Sequence, residues 1–255
     1  MRAPVLAARG LEICHNRAAA PMLRGFDLTL DPAEVVAILG PSGVGKSTLL
    51  RVLGGLQAPS AGSVLMEGAP LQEVNPRLAV AFQDPCLLPW LRLEANVAFG
   101  LDFKHQPKLS AAERRARVDA AIQEVGLSHA RRLRPSALSG GMAQRAALAR
   151  CLARKPRVLL LDEPFGALDQ VTRARMQDLL LKVVADFGTA AVLVTHDIDE
   201  ALLVADRLVL LGGVPARQIG SWSLDLPKPR QDFLSELGAV RVEILKALRQ
   251  AVRAA

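Results

Sequence analysis

Short runs of apolar residues recur along the chain, and polar residues or glycines bound each run. Several runs are continuous rather than alternating, which is typical of strands that are covered on both faces. The predicted strands cover residues 35–39, 78–82, 158–161, 191–195 and 208–211. Helical patterns lie between them, at residues 46–53, 169–187 and 198–205. Strands that alternate with helices predict an α/β protein with a layered, mostly parallel sheet.

One long stretch, about residues 90–135, shows helical patterns and no convincing strand. Within it, Ser110 and Glu113 have the spacing of a capping box, which begins a helix that Gly126 can end. We therefore predict a helical lobe, residues 84–137, that is inserted between two strands of the sheet.

The chain has 255 residues, which is long enough to bury a full core. Its last part, residues 221–255, is predicted to be a tail with an amphipathic helix at about residues 232–252. The sequence contains no long Pro/Gly linker, repeat or low-complexity tract. We therefore expect one domain, residues 1–255, that includes the lobe.

The net charge of +7 and the aromatic content of 4% bear on the partners of the chain. A basic protein can bind nucleic acid, but these arginines are scattered along predicted helices rather than gathered in one tail. With no tyrosine and few other aromatic rings, the chain offers few platforms for stacking bases. We therefore expect no nucleic-acid partner and a solvated basic surface, which a nearby anionic membrane would favour.

No uncharged apolar run approaches the roughly 18 to 20 residues that a membrane span needs, and residues 1–10 lack the apolar stretch of a secretory signal. Cys14, Cys86 and Cys151 are widely spaced and lack metal-ligand spacing. Their odd number suits a reducing cytoplasm, where thiols pack as small apolar groups. We therefore expect a soluble chain whose role at any membrane comes through partners.

Residues 40–47 read GPSGVGKS and fit the pattern GxxxxGK[ST]. A predicted strand precedes this segment and a predicted helix follows it, as in a phosphate-binding loop. Glycines let backbone N–H groups converge on phosphate oxygens, and the helix N-terminus adds partial positive charge. We expect Lys46 to bridge the β- and γ-phosphates of ATP and Ser47 to hold Mg²⁺. The predicted ATP-binding residues are Gly40, Pro41, Ser42, Gly43, Val44, Gly45, Lys46, Ser47 and Thr48.

An acidic pair, Asp162 and Glu163, follows the strand predicted at residues 158–161. Alone, such a pair at the end of a strand is more often a solvated turn or a helix cap. Together with the phosphate-binding loop, the pair favours chemistry at the γ-phosphate. Asp162 is then predicted to lie in the Mg²⁺ shell, and Glu163 to activate the attacking water as general base.

A second glycine-rich turn, LSGGM at residues 138–142, lies upstream of the acidic pair. We interpret Ser139, Gly140 and Gly141 as a second phosphate cradle. This cradle cannot reach the nucleotide in its own subunit's phosphate-binding loop, so we expect two copies that face each other across two ATP molecules. The alternative is that the turn is merely the N-terminus of a helix.

The order of these motifs resembles the nucleotide-binding subunit of an ABC transporter over essentially the whole chain. Residues 138–142 match the signature LSGGQ of that family, with Met142 in place of the usual glutamine. The resemblance implies that Ser139, Gly140 and Gly141 contact the γ-phosphate held by the opposite subunit. It also implies a RecA-like P-loop NTPase fold with an antiparallel β portion near the N-terminus and an inserted helical lobe.

Four single residues take their expected roles from this resemblance. Gln83 resembles the glutamine that senses Mg²⁺ and the attacking water, which makes it a candidate catalytic residue and metal ligand. His196, also a candidate catalytic residue, resembles the switch histidine that touches the γ-phosphate, and Asp169 resembles the D-loop residue that couples the two sites. His15 stands where the family usually stacks an aromatic ring on adenine. It can stack on the base, or it can equally be a solvated loop residue.

Two segments, residues 82–90 and 224–230, are similar to those of importers of nitrate, aliphatic sulfonates and taurine. The resemblance implies that residues 85–90 help to form the groove that receives a permease helix. An alternative, compatible with the first, is that the apolar side chains of this segment pack the core of the lobe. These side chains are Leu87, Leu88 and Trp90.

By this resemblance, we expect the chain to be the subunit of an importer that binds and hydrolyses ATP with Mg²⁺ and powers uptake of a small anionic solute. Its expected partners are a second ATPase subunit (an identical copy or a related chain), two integral-membrane permease subunits and, indirectly, an extracytoplasmic solute-binding protein. The expected location is peripheral, on the cytoplasmic face of the inner cell membrane.

Two other functions compete with this expectation. ABC-type ATPases that act on nucleic acid or ribosomes usually carry two cassettes or long coiled-coil insertions, whereas this chain has one LSGGM and a short insert. A small-molecule kinase with a phosphate-binding loop leaves the LSGGM turn unexplained. Salt-dependent DNA binding would favour the first function, and phosphate transfer without dimerisation would favour the second.

Overall fold

The computed structural model describes residues 3–14, 20–166 and 168–253, which form two β-sheets and a set of helices. The strands are β1 Leu6–Cys14, β2 Pro21–Leu30, β3 Val35–Leu39, β4 Ala61–Met66, β5 Ala69–Pro70, β6 Leu78–Ala81, β7 Val158–Asp162, β8 Ala190–Thr195, β9 Arg207–Gly212 and β10 Arg217–Ser223. The α-helices are α1 Lys46–Leu53, α2 Leu93–Ala98, α3 Ala111–Glu124, α4 Gly140–Ala153, α5 Gln170–Phe187, α6 Ile198–Val204 and α7 Leu234–Arg253. Short 3-10 turns cover Ser128–Ala130 and Pro135–Ala137.

The larger sheet has six strands in the order β10-β9-β3-β8-β7-β6. Its strands run parallel except for β10, which pairs antiparallel with β9. β3, β7 and β8 are buried along their whole length, as their continuous apolar runs predict. All five strands predicted from the apolar pattern belong to this sheet, so the predicted α/β fold class is confirmed.

The smaller sheet is antiparallel, with the strand order β2-β1-β4-β5, and it is the antiparallel portion expected near the N-terminus. The apolar pattern does not locate its strands individually. The reason is that the pairing of β1 with β2 shifts in register after Ala8 and again after Leu11, and β5 has only two residues. A register shift interrupts the alternation of inward and outward side chains from which strands are predicted.

The core consists of two clusters, one on each face of the larger sheet. Successive residues of β3 point to opposite faces, so Val35 and Ala37 belong to one cluster and Val36 and Ile38 to the other. The first cluster is shared with α2 to α7, and the second with α1 and the smaller sheet. The strands that carry the predicted site residues are therefore fixed from both sides.

The segment 84–137, predicted as a helical lobe, contains α2, α3 and both 3-10 turns, and its described residues include no strand. Both helices pack against α4. The predicted capping box begins α3: Glu113 N donates to Ser110 Oγ (3.2 Å), and Ser110 N donates to Glu113 Oε2 (2.8 Å). The boundaries of the lobe as a separate unit stay a prediction.

Arg230 ties the C-terminal tail to the rest of the chain. Its side chain is 1% exposed and donates hydrogen bonds to the carbonyl oxygens of Leu202, Leu224 and Leu226. The tail predicted from residue 221 includes the end of β10, because that strand extends to Ser223. α7 follows with 20 residues, yet no helix in the described ranges is both long and apolar enough to cross a bilayer.

Candidate functional site

Four neighbouring strands of the larger sheet end at the same edge, in the order β3-β8-β7-β6. They run parallel, so their carboxyl ends lie side by side. Each end leads to a predicted site residue: Gly40 after β3, His196 after β8, Glu163 after β7 and Gln83 after β6. Residues that are far apart in the sequence thus meet at the edge where open α/β sheets bind ligands.

The phosphate-binding loop joins β3 to α1. Gly40 is packed so closely that a β-carbon there would lie 2.9 Å from the carbonyl oxygen of Leu211. Gly45 has a φ of +100°, a conformation that residues with side chains rarely adopt. Lys46 Nζ folds back and donates hydrogen bonds to the carbonyl oxygens of Gly40 (2.8 Å) and Pro41 (3.1 Å). The lysine predicted to bind phosphate therefore also bonds to two carbonyl groups of its own loop.

No side chain of the described residues caps the first turn of α1. The N-cap residue, Gly45, has no side chain that could accept a hydrogen bond from them. Free N–H groups at a helix N-terminus, together with the helix dipole, favour an anion such as phosphate. The other predicted ligands lie in the loop and in this first turn. In the loop, Pro41, Ser42 and Gly43 are exposed and Val44 is half-buried; in the helix, Ser47 and Thr48 are half-buried.

Ser47 and Asp162 form a pair of oxygen groups beside this loop, since Ser47 Oγ donates a hydrogen bond to Asp162 Oδ1 (3.1 Å). Burial raises the pKa of Asp162, the hydrogen bond from Ser47 lowers it, and the charge of Glu163 raises it. Burial also lowers the pKa of Lys46, and the charges of Glu163 and Asp162 oppose that effect. A hydroxyl and a carboxylate are the hard oxygen donors that suit Mg²⁺, which keeps waters and phosphate oxygens as its other ligands.

Glu163 is held by groups from both neighbouring strands. Its backbone N–H donates to the carbonyl oxygen of Val194 (2.8 Å). Its Oε2 accepts a hydrogen bond from Gln83 Nε2 (3.3 Å), and its Oε1 lies 3.0 Å from His196 Nδ1. Its φ of +44° is uncommon for a residue with a side chain, and such strain clusters at functional sites. The structure thus brings the three predicted catalytic residues together.

The signature turn (residues 138–142) leads into α4. Ser139 is the N-cap residue of this helix, and its hydroxyl accepts a hydrogen bond from Met142 N (3.3 Å). Gly140 is exposed, and a β-carbon there would meet nothing within 4 Å. Gly141 is half-buried. Ser139 therefore caps its helix, as the alternative interpretation holds, while Gly140 leaves open space in front of the helix N-terminus.

Asp169 caps α5, because its Oδ1 accepts hydrogen bonds from the backbone N–H groups of Val171 (3.1 Å) and Thr172 (3.0 Å). The bonds with Thr172 lower the pKa of the Asp169 carboxyl. The role of Asp169 in coupling two sites stays a prediction. His15 lies outside the described residues, so its contact with adenine also stays a prediction.

Two residues of α4 hold the segment that follows β6, and neither belongs to a recognised motif. Gln144 Nε2 donates to the carbonyl oxygen of Gln83 (3.0 Å). The guanidinium of Arg150 donates to the carbonyl oxygens of Pro85 and Cys86, both at 2.8 Å. The sequence carries one signal for these two residues, since each is a polar residue among the alanines of a helix. A polar side chain needs a hydrogen-bond partner once it is buried.

The segment before α2 places Trp90 at the surface. Asn96 is fully buried; it accepts a hydrogen bond from Leu88 N (2.7 Å) and donates to the carbonyl oxygens of Leu88 (3.1 Å) and Leu91 (3.2 Å). Leu87 is half-buried against the core, whereas Trp90 is 67% exposed. The interpretation that this segment packs the lobe's own core therefore fits Leu87 and is wrong for Trp90.

The family model described as "ABC transporter" matches residues 23–166, which is more than half of the chain. The chain belongs to the ABC transporter family. It is 47% identical over 229 residues to the aliphatic sulfonates import ATP-binding protein SsuB 1 of Xanthomonas axonopodis pv. citri, across 89% of this chain and 90% of that protein. It is 45% identical over 210 residues to the nitrate import ATP-binding protein NrtC of Synechococcus elongatus, across 82% of this chain and 32% of NrtC.

Among solved structures, the chain is similar to the ATP-binding cassette MJ0796, in a dimeric post-hydrolysis state bound to ADP and Pi. The TM-score is 0.77 at 29% identity, across 87% of this chain and 100% of that one. The expected family and P-loop NTPase fold are therefore confirmed, and this ABC protein is an ATPase. Membership in this family also sets aside the interpretation as a small-molecule kinase.

Proposed function

We propose that the chain is the ATP-binding and ATP-hydrolysing subunit of an importer for a small anionic solute. The observation that carries this proposal is the cluster of Glu163, Gln83 and His196 at the same sheet edge as the phosphate-binding loop. This edge offers a cradle for phosphates beside a carboxylate that can act as a base, and ATP hydrolysis requires both.

Each group of the site has a role in this proposal. The loop and the N-terminus of α1 bind the phosphates, and Lys46 exchanges its two backbone acceptors for phosphate oxygens. Ser47 and Asp162, with Gln83, hold Mg²⁺, which supplies positive charge to the reacting phosphate. Glu163 accepts a proton from the attacking water, and His196 contacts the γ-phosphate. The ATP-binding residues are Gly40, Pro41, Ser42, Gly43, Val44, Gly45, Lys46, Ser47 and Thr48.

The solute class rests on the relatives. SsuB 1 is named for import of aliphatic sulfonates and NrtC for import of nitrate, and both solutes are small anions. The proposed solute of this chain is therefore nitrate, a sulfonate or a compound like taurine. We expect a permease and an extracytoplasmic solute-binding protein, not this chain, to select it.

The proposed assembly contains two ATPase subunits and two integral-membrane permease subunits. The relatives are named as ATP-binding proteins of import systems, and the cassette MJ0796 forms a dimer. On this chain, the exposed rings of Trp90, Phe99 and Phe103 supply an apolar surface on the lobe that suits contact with a permease. The chain would then lie peripherally on the cytoplasmic face of the inner cell membrane.

The catalytic part of the proposal is tested by replacing the base. Glu163→Gln keeps the size of the side chain and removes its ability to accept a proton, so we expect kcat for ATP to fall by roughly 10²- to 10⁴-fold. The variant should still bind ATP and form an ATP-stabilised dimer, measured by sedimentation. The matched control is Glu73→Gln, because Glu73 is exposed and lies in the segment that precedes β6. Turnover at the wild-type rate in Glu163→Gln would show that another group is the base.

The transport part is tested separately in cells. Deletion of the coding sequence should abolish growth on nitrate as sole nitrogen source, or on a sulfonate as sole sulfur source, and wild-type protein should restore it. Glu163→Gln should not restore growth. Normal uptake of all these anions in the deletion strain would contradict the proposed solute class and leave the ATPase assignment untouched.

A further inference from the structure

Arg173, in the first turn of α5, joins two segments of the site that are distant in the sequence. Its Nη2 donates a hydrogen bond to the carbonyl oxygen of Leu168 (3.3 Å), next to the D-loop aspartate. Its Nη1 lies 3.7 Å from Asp197 Oδ2, and its Nε lies 3.3 Å from Glu200 Oε1. Asp197 directly follows His196 in the chain. Arg173 therefore connects the D-loop to the segment that carries the switch histidine.

Glu200 is the buried end of this connection. Its side chain is 5% exposed, and burial raises the pKa of its carboxyl. Its Oε2 accepts a hydrogen bond from Thr195 Oγ1 (3.1 Å), and the same hydroxyl accepts one from Asp197 N (3.0 Å). Thr195 and Asp197 are the two chain neighbours of His196. Glu200 thus holds the Thr195 hydroxyl, which in turn accepts from the backbone N–H of Asp197. A buried carboxylate also needs a positive partner.

The Nε of Arg173 differs from the other two nitrogens of the guanidinium. Of the side chains that the structure describes, Arg173 Nε is a buried donor without a hydrogen-bond partner. It lies within ion-pair distance of Glu200 Oε1 but makes no hydrogen bond with it. A buried donor without a hydrogen-bond acceptor is unfavourable, so the nearby charge of the Glu200 carboxylate is what offsets this cost.

We propose that Arg173 is a positioning residue for His196 and passes the position of the D-loop to it. The inference rests on the proposed function, in which His196 contacts the γ-phosphate, and on the expected role of Asp169 as the D-loop residue that couples the sites of two ATPase subunits. A shift of the D-loop carbonyl moves the guanidinium, and the ion pairs pass the shift to Asp197 and Glu200. His196 is then correctly placed only when the D-loop is in place, which makes hydrolysis depend on the partner subunit.

The competing explanation is that these ion pairs only stabilise the fold. Partly exposed ion pairs usually contribute little to stability, and the side chains of Arg173 and Asp197 are each 34% exposed. Arg175 provides a matched control, because it lies on the same helix and is exposed. Its removal deletes the same charge two residues away from the connection.

The first experiment compares steady-state ATP hydrolysis of wild type, Arg173→Ala, Arg173→Lys and Arg175→Ala. We expect kcat of Arg173→Ala to fall by about ten- to a hundredfold, because a small misplacement of a reacting group has an effect of this order. KM for ATP should change by less than about twofold, since the phosphate-binding loop is untouched. Arg173→Lys should recover part of kcat through the ion pair with Glu200, and Arg175→Ala should match wild type.

The second experiment asks whether the effect passes through His196. In a His196→Ala background, Arg173→Ala should lower the remaining kcat by less than about twofold, because the group that it positions is gone. An equal loss of kcat in both backgrounds would overturn the proposal, and so would a wild-type kcat in Arg173→Ala. If Arg173→Ala does not fold, as judged by circular dichroism, Arg173→Gln replaces it in both experiments and is read in the same way.

Failure of this inference can be told apart from failure of the proposed function. If wild type does not hydrolyse ATP, or if Glu163→Gln keeps its turnover, the proposed function is wrong whatever Arg173 does. If wild type and Glu163→Gln behave as proposed and Arg173→Ala hydrolyses ATP like wild type, only the role of Arg173 is wrong.

Discussion

The phosphate-binding loop and the signature turn are both glycine-rich turns that begin a helix, yet the hydrogen-bond partners of their polar side chains differ. In the loop, Lys46 donates to two backbone carbonyls and Ser47 donates to Asp162 of β7. In the signature turn, Ser139 bonds only to its own helix among the described residues, and Gly140 faces open space. The phosphate-binding loop is thus tied to the larger sheet through Ser47 and Asp162, whereas Ser139 and Gly140 of the signature turn are exposed.

The two helix N-termini differ in the same sense. Within the described part of the chain no side chain caps α1, so its first N–H groups are available to phosphate within the chain's own site. α4 is capped by Ser139, and no described atom lies within 4 Å of where a β-carbon at Gly140 would stand. This is the difference that we expect if the loop holds the chain's own ATP and the signature turn completes the ATP site of a second subunit. Substitutions in each turn should therefore separate these two roles.

Among the substitutions that separate the two turns, removing Lys46 should have the largest effect. Lys46→Ala deletes the positive charge nearest the phosphates, so we expect kcat to fall by roughly 10²- to 10³-fold, as for the loss of one transition-state donor. ATP affinity, measured by calorimetry, should weaken by about 10- to 100-fold, as for the loss of hydrogen bonds to a charged group. The control is Lys108→Ala, because Lys108 is exposed and lies in the segment before α3. Unchanged ATP affinity in Lys46→Ala would remove the loop from the nucleotide site.

A charge placed in the signature turn should act on the dimer rather than on the monomer. Gly140→Asp introduces a carboxylate where a β-carbon has open space, so the fold should tolerate it. Facing the γ-phosphate of a partner, this charge should weaken ATP-dependent dimerisation by roughly a hundredfold or more. ATP affinity of the monomer should stay at the wild-type value. Loss of monomer affinity would mean that the turn binds the chain's own nucleotide.

Removing the cap of α4 should have a smaller effect. Ser139→Ala deletes the acceptor for Met142 N, which should reduce the free energy of unfolding by about 1 kcal/mol. For a domain of this size, the melting temperature should fall by roughly 2–4 °C per kcal/mol. Ser139→Asn is the control, since asparagine is also a good N-cap residue. An unchanged melting temperature in Ser139→Ala would show that the cap does not stabilise the fold.

The smallest expected effect concerns the far end of α4. Burial raises the pKa of the Cys151 thiol to about 11, whereas Cys86 is exposed. At pH 8 only about one Cys151 in a thousand is ionised, so alkylation should be slow and should speed up toward pH 11. Gly140→Asp should leave both cysteine rates unchanged, as measured by mass spectrometry. Faster alkylation of Cys151 in that variant would mean that the substitution disturbs α4.

The parts of the fold that the sequence predicts best are those with local signals. The unit β3–loop–α1 combines a continuous apolar run, a glycine pattern and a helix, and its predicted boundaries agree with the structure. The capping box of α3 depends on two residues three positions apart. The apolar pattern does not locate the strands of the smaller sheet. The direction in which their side chains point depends on irregular pairing, both between β1 and β2 and between β1 and β4.

The same distinction applies to the site. Motifs predict Glu163, Gln83 and His196 singly, but the contacts among them depend on the strand order β8-β7-β6, which no local pattern contains. Gln144 and Arg173 belong to no motif. Gln144 lies among the alanines of α4 and Arg173 in the first turn of α5, and only tertiary packing brings each against the site.

The central claim, that each subunit completes the other's ATP site, is tested most directly by mixing two inactive variants. Lys46→Ala has a defective loop and an intact signature turn, and Gly140→Asp has the reverse. In a mixed dimer, one ATP site combines both defects and the other combines both intact parts. With random pairing, half of the dimers are mixed, so we predict that ATPase activity recovers to at most about a quarter of the wild-type rate. If the mixture is as inactive as each variant alone, although sedimentation shows mixed dimers, each site is made by a single chain and the account is wrong.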